Sequence, residues 1–164
     1  GCIYINGDVY RGSKFAAGEF GHMATHKDGR PCTCGRIGCY EAYSACRVFT
    51  KAVSDRMGKK MNGREIFMEE NLKNPVIIEE MDNWEDEIAL GLRNLCYIFN
   101  PSLIVLGGGI MSEDLLLGHI RHKVNAQLEP NYKHVKIEKA QLGNKAGMLG
   151  AAWLASERLK IWNK

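Results

Sequence analysis

Gly18-Glu-Phe-Gly-His22-Met-Ala-Thr-His26-Lys-Asp-Gly-Arg-Pro-Cys32-Thr-Cys34-Gly-Arg-Ile-Gly-Cys39-Tyr-Glu41 carries three of the chain's six cysteines within eight residues. A histidine stands ten positions before the first of them, and Glu19 and Glu41 sit near or at its ends. Zinc is the best account of His22, Cys32, Cys34 and Cys39: three thiolates and one imidazole close a tetrahedral set with no vacant position for a catalytic water. Gly35 and Gly38 relieve the backbone where Cys34 must fold back towards Cys39. The alternative is three ordinary buried thiols and a surface histidine, against which stand the hydrophilic neighbours Lys27, Asp28, Arg30 and Arg36. His26 is the rival ligand, nearer the cysteines, and ranks second because a lone loop histidine is commonly just solvated.

Around this stretch the chain reads as one α/β domain. Its 164 residues, 45% hydrophobic, suffice for a single core. The net charge of +3 is mild and its basic residues are scattered, which argues against a nucleic-acid or anionic-membrane surface. No apolar run approaches the ~18 residues of a membrane span. Without a leader-like opening, the cysteines are expected to stay reduced and the compartment to be the cytoplasm. The chain opens at Gly1-Cys2-Ile3 without a methionine, already within a strand, so it reads as a piece of a longer polypeptide.

Cys2–Ile5, the turn Asn6-Gly7-Asp8 and Val9-Tyr10 predict a hairpin. Residues 12–38 are rich in glycine and lack periodicity, and irregular chain of that length needs something to pin it. From Glu41, Tyr43, Cys46, Phe49 (or Val48), Val53 and Met57 predict a helix ending at Gly58, with Cys46 and Cys96 as small core residues. Asn62 and Glu65 resemble a capping box. Asn74-Pro75 opens a longer helix bearing Met81, Trp84, Ile88, Leu92, Leu95 and Phe99, which stops before Asn100-Pro101. Ile104-Val105-Leu106 predicts a parallel strand buried on both faces. Ser112, Glu113 and Asp114 predict a capped helix start, Val135–Ile137 another strand, and Ala146–Leu159 a closely packing helix.

Gly107-Gly108-Gly109, between a buried strand and a capped helix, lies where an α/β sheet binds a nucleotide. Tight helix–strand packing accounts for a triple glycine nearly as well.

Ala17-Gly18-Glu19-Phe20-Gly21-His22 followed by Cys32-Thr33-Cys34-Gly35-Arg36-Ile37-Gly38-Cys39-Tyr40-Glu41 resembles the signature of the ROK family of bacterial sugar kinases and sugar-responsive repressors. Asn100-Pro101 through Gly109 and Ala146–Ala155 resemble the family's strand and glycine loop and its final helix. The resemblance implies the C-terminal lobe of the actin-like, hexokinase-type (ribonuclease H-like) ATPase fold, with an inserted zinc-binding loop and additional helices. On that basis residues 12–41 form the sugar- and zinc-binding loop, 42–100 a helical segment and 103–160 the nucleotide half.

The resemblance also implies that His22, Cys32, Cys34 and Cys39 bind one structural zinc, and that Glu19, His22 and Glu41 contact sugar hydroxyls. Zinc would then give a glycine-rich loop the fixed geometry that epimer discrimination requires. Tyr40 replaces the commoner leucine and is expected to affect packing only. Gly107, Gly108 and Gly109 would serve the ATP cleft. The family's Asp-x-Gly-x-Thr phosphate loop and general-base aspartate have no counterpart here: Asp8 is followed by Val-Tyr-Arg-Gly. The expected function is the C-terminal lobe of an ATP-dependent sugar kinase, inactive alone, with ATP and sugar between the lobes and Mg²⁺ bridging the phosphates. The alternative is the effector-binding lobe of a repressor whose helix-turn-helix lies upstream, the one case implying nucleic acid as a partner. A homodimer is expected from the same resemblance.

Overall fold

The computed structural model describes residues 1–108 and 114–162. Strands β1 (Ile3–Ile5) and β2 (Asp8–Tyr10) pair antiparallel, with Ile3 opposite Tyr10 and Ile5 opposite Asp8. The two residues between them, Asn6 and Gly7, have φ of 52° and 81°, the left-handed pair that a two-residue hairpin turn demands. Beyond Tyr10 the chain runs without regular structure to residue 40, apart from a single 3₁₀ turn at Phe20–His22.

The predicted helix from Glu41 is two helices, α1 (Glu41–Ser44) and α2 (Cys46–Met57), broken at Ala45 with ψ of 139°. Ser44 explains the break. Its carbonyl accepts from the Trp84 indole N–H at 2.8 Å, and the Val48 amide turns instead to the Ala45 carbonyl. The restart leaves Cys46 exposed, a correction to the expected core position, while Phe49 and Val53 are buried as expected and Cys96 is fully buried. Helix α2 ends at Gly58 in the left-handed conformation (φ 65°). Helix α3 (Gly63–Ile66) begins with the full capping box, Glu65 N–H to Asn62 Oδ1 at 3.1 Å and Asn62 N–H to Glu65 Oε2 at 2.7 Å.

Helix α4 (Pro75–Phe99) spans 25 residues, about 37 Å at ~1.5 Å per residue. Asn74 accepts from the Val76 amide and Pro75 occupies the first turn, where its missing N–H costs nothing. Its stripe Ile77, Met81, Trp84, Ile88, Leu92 and Leu95 is buried and forms the axis of the core, with Phe49 stacked on Trp84 at 4.6 Å between ring centroids. Helices α1 and α2 pack on it, as does α5 (Asp114–Gln127). Phe99 stays 45% exposed, but meets Phe20 edge-on at 5.8 Å and so ties the 3₁₀ turn to the end of α4.

Strands β3 (Leu103–Leu106) and β4 (Lys136–Lys139) pair parallel, Leu103 beside Lys136 and Leu106 beside Lys139, with α5 in the crossover between them. Ile104 and Leu106 pack against the core, while Leu103 and Val105 remain 47% and 55% exposed. Among the described residues the strand is therefore covered on one face, not on both. The expected start of α5 at Ser112 and Glu113 lies outside the described residues. Helix α6 (Ala146–Trp162) forms, but its residues 146–156 are exposed and a Cβ at Gly147 or Gly150 would meet nothing. The close packing expected of it is absent among the described residues. The architecture is mixed α/β, and no helix among the described residues is long and apolar enough to cross a membrane.

Candidate metal centre

Residues 20–41 fold back on themselves through backbone bonds that bring distant side chains together. The Gly35 amide donates to the Cys32 carbonyl at 3.0 Å and the Cys32 amide to the Arg36 carbonyl at 2.8 Å, closing a tight turn with Gly35 at φ +83°. Bridges Pro31–Ile37 and Ala24–Cys39 extend it. Gly38 (φ +73°) donates to Arg30 and accepts from the Thr25 and His26 amides; a Cβ there would collide with the His26 carbonyl, so no other residue fits.

The result is that His22, Cys32, Cys34 and Cys39 offer ligand atoms all within 4.8 Å of one another. Cys34 and Cys39 sulfurs are 3.7 Å apart and His22 Nδ1 lies 3.9 Å from Cys32 Sγ. Ligands of a tetrahedral zinc are separated by about 3.5–3.8 Å, whereas disulfide sulfurs sit at about 2.05 Å. Cys32 and Cys39 are buried, His22 and Cys34 exposed, so the cluster lies at the surface with its inner side anchored. Burial pushes the Cys39 thiol up to about 12, and the Arg36 backbone N–H holds Cys34 below its ordinary value. A cation among the four would offset the burial of thiolate charge. The donor set and its spacing fit zinc.

His26, the rival ligand, is not in the cluster. Its ring stacks on Tyr43 at 3.8 Å, Nδ1 meets the Thr25 hydroxyl at 3.1 Å, and Nε2 lies 3.5 Å from Glu87 on α4. Tyr43 in turn accepts from the Arg30 amide at 2.6 Å and carries the Arg30 guanidinium over its ring.

Glu41 opens α1 directly beside the cluster. Its Oε1 accepts from the Thr33 hydroxyl at 3.0 Å and, while the Cys32 thiol keeps its proton, from Cys32 Sγ at 3.1 Å, with Arg47 at 3.4 Å. These hydrogen bonds, then Arg47 and His22, hold its carboxyl below the usual carboxylate range. Its side chain lies against Gly21, where an added Cβ would come within 3.2 Å of the Glu41 Cβ. Glu41 is thus brought to the His22 turn. Glu19 stands at the entrance of that turn, its carbonyl accepting from the His22 amide at 3.0 Å, with its side chain exposed and making no capping bond. Thr33 and Arg47 were not singled out by sequence reasoning; their proximity to Glu41 depends on the Cys32–Gly35 turn, which residue types alone do not specify.

Gly107 and Gly108 are exposed just past the C-terminal end of β3. Gly108 has φ +116° with open space where a Cβ would stand, and a Cβ on Gly107 would make only an ordinary 3.7 Å contact with Ala140. Glycine at 108 therefore answers a conformational need, and tight packing explains neither position. Gly109 lies outside the described residues.

The match to known proteins follows the same span. The chain is 33% identical over 177 aligned residues to a glucokinase of Streptomyces coelicolor, covering 96% of this chain and 56% of that one. It is 29% identical to a xylose repressor of Bacillus spizizenii, covering 94% of this chain and 41% of the repressor. A crystal structure of a ROK family glucokinase from Streptomyces griseus, in complex with glucose and AMPPNP, superimposes with a TM-score of 0.85 at 29% identity, over 93% of this chain and 55% of that one. The chain spans about half the length of the curated relatives it matches. The ROK family model matches residues 1–158, from the hairpin through the cysteine cluster into α6, and the chain belongs to the ROK family.

Proposed function

We propose that this chain is the sugar- and zinc-binding lobe of an ATP-dependent sugar kinase acting on a hexose or related sugar, within the actin-like, hexokinase-type fold. The observation that carries the reading is the convergence of His22, Cys32, Cys34 and Cys39 with the Glu41 carboxylate on a segment otherwise free of regular structure. Bound there, zinc supplies rigidity and no chemistry, since four protein ligands leave no open coordination position. Glu41 and Glu19 then accept hydrogen bonds from adjacent sugar hydroxyls, and the second ring nitrogen of His22 is available to a third. A site built this way rejects an epimer by leaving a carboxylate unpaired.

The open backbone at Gly107 and Gly108, at the end of a parallel strand and before α5, is suited to the approach of a nucleotide, and Gly109 follows them in the sequence. In this reading phosphoryl transfer depends on a second lobe carrying the general-base aspartate and phosphate loop, and residues 1–164 alone are inactive. Pairing of two copies through the helical face belongs to the same reading.

The xylose repressor among the relatives supports a second reading, in which the same zinc and sugar residues bind an effector. One experiment separates the two. The full-length protein, loaded with zinc, is assayed for ADP formation across a panel of hexoses and N-acetylhexosamines. Turnover with one sugar class supports the kinase; zinc-dependent sugar binding without turnover supports the repressor.

A further inference from the structure

Residue 40 links the cysteine cluster and Glu41 to α4. It follows Cys39 and precedes Glu41. Its amide donates to the Met23 carbonyl at 2.8 Å, just past His22, and its carbonyl accepts from the Ser44 amide and hydroxyl at 3.0 Å each. Its side chain leaves the loop and reaches α4. There the Tyr40 hydroxyl donates to the Ile88 carbonyl at 3.0 Å, and the ring occupies the space a Cβ on Gly91 would need.

Gly91 is a buried glycine in the interior of a continuous helix, where it costs about 1 kcal/mol relative to alanine. The ring of Tyr40 gives it a reason. Trp84, Glu87, Ile88 and Gly91 lie on one face of α4 at helical spacing, and each meets the cysteine-bearing segment or α1: Trp84 through Ser44, Glu87 through His26, Ile88 and Gly91 through Tyr40. Only the Tyr40 contact is made by a residue adjacent to both a cluster cysteine and Glu41. Leucine could fill part of that notch, but has no hydroxyl to donate to α4. The earlier expectation that tyrosine at this position alters packing alone therefore misses a bond to the helix.

We infer that Tyr40 is a positioning residue, locked by its phenol into a glycine notch on α4 so that Cys39 and Glu41 on either side are held at a fixed distance from the helix. The inference rests on the sugar-binding reading and adds to it that α4, with no residue at the site, sets sugar affinity.

The test is a cycle in the full-length, metal-loaded protein: Gly91→Ala, Tyr40→Leu and the double variant, each titrated calorimetrically with glucose and N-acetylglucosamine. Cobalt-substituted samples report the thiolate cluster through their charge-transfer band. Gly91→Ala, which drives the ring out of its notch, is expected to weaken sugar binding by about tenfold or more, ~1.4 kcal/mol, with the cobalt band retained. Tyr40→Leu alone weakens it by a smaller factor, and the double variant recovers affinity to the level of Tyr40→Leu, which a merely destabilising alanine would not do. Should Gly91→Ala fail to fold, Tyr40→Leu and Tyr40→Phe carry the test: both must weaken sugar binding while thermal midpoint and cobalt band stay near wild type. Unchanged affinity in these variants, or no recovery in the double variant, overturns the lock while leaving the sugar site intact. A wild-type protein with the cobalt band that binds neither these sugars nor any other hexose overturns the sugar reading and the lock with it.

Discussion

Cys34 and Cys39 bring their sulfurs to 3.7 Å across a turn that five intervening bonds of sequence and two left-handed glycines make possible. That separation matches an edge of a zinc tetrahedron and is far too long for a disulfide. Pure protein is expected to carry one zinc per chain by elemental analysis. A ligand present at about 1,000 times its dissociation constant stabilises by about 4 kcal/mol, and each ~1 kcal/mol moves the midpoint by roughly 2–4 °C at this size. Chelation is therefore expected to lower the melting midpoint by roughly 8–16 °C, restored by zinc and not by magnesium. Melting curves that coincide with and without chelator would remove the metal from the account.

Glu41 accepts a hydrogen bond from the Thr33 hydroxyl of its own loop and lies over Gly21, contacts that orient its carboxylate with the metal bound or not. Hydrogen bonds to a charged group are each worth about 1.5–3 kcal/mol. Glu41→Gln is thus expected to weaken sugar binding by roughly 10- to 150-fold while zinc content is unchanged, as measured by calorimetry beside elemental analysis. Glu19→Gln, whose side chain makes no capping bond, should weaken binding without altering thermal stability at all. Sugar affinity indifferent to both substitutions would mean that these are solvated surface charges.

The Trp84 indole does two separable things: its face stacks on Phe49, and its N–H takes the Ser44 carbonyl out of the helical ladder. Trp84→Phe preserves much of the stack and removes the donor. Leaving a part-buried carbonyl unpaired costs about 1–3 kcal/mol, and that loss is expected in urea unfolding. Ser44 could also return to the ladder in this variant, joining α1 to α2; an increase in helical ellipticity would register it. A variant as stable as wild type, with unchanged ellipticity, would show that the break at Ala45 is intrinsic to its sequence.

Local chemistry made most of this fold legible. Asn6-Gly7, the Asn62–Glu65 box, Asn74-Pro75, Gly58 and the α4 stripe each act over a few residues, and each occurs where the sequence places it. Misreadings arise where a distant partner overrides local periodicity. A helix drawn through residues 41–57 is interrupted because Trp84, forty positions on, claims one carbonyl, and Cys46 goes to the surface as a consequence. Strand β3 reads as buried on both sides because a short apolar run does not report how many faces are covered. In the candidate site, the four clustered residues were legible from type and spacing. Thr33 and Arg47 beside Glu41, Glu87 beside His26 and Gly91 beneath Tyr40 were not, since each contact exists only after the segment is folded.

Among the described residues Glu85 is the one charged residue the core holds, 1% exposed on the face of α4 that meets α5. Its Oε1 lies 3.0 Å from His119 Nδ1, Lys123 on α5 lies close enough to draw its carboxyl down, and Asp82 opposes them. Burial outweighs these partners and raises the carboxyl above its ordinary 4.5. A carboxyl so raised contributes stability that is fully present below the unfolded value and is lost as pH climbs through the folded one. Once ionised, Glu85 therefore works against the fold, in contrast to a surface ion pair. Glutamine keeps the shape and one hydrogen bond to His119 without the charge. Glu85→Gln is expected to match wild type near pH 4 and to exceed it in urea midpoint by a margin that opens as pH rises above the ordinary carboxylate value and then levels off. The opposite trend, a deficit widening with pH, would mean that His119 and Lys123 more than compensate for burial and that the pair holds α4 to α5 through its charge.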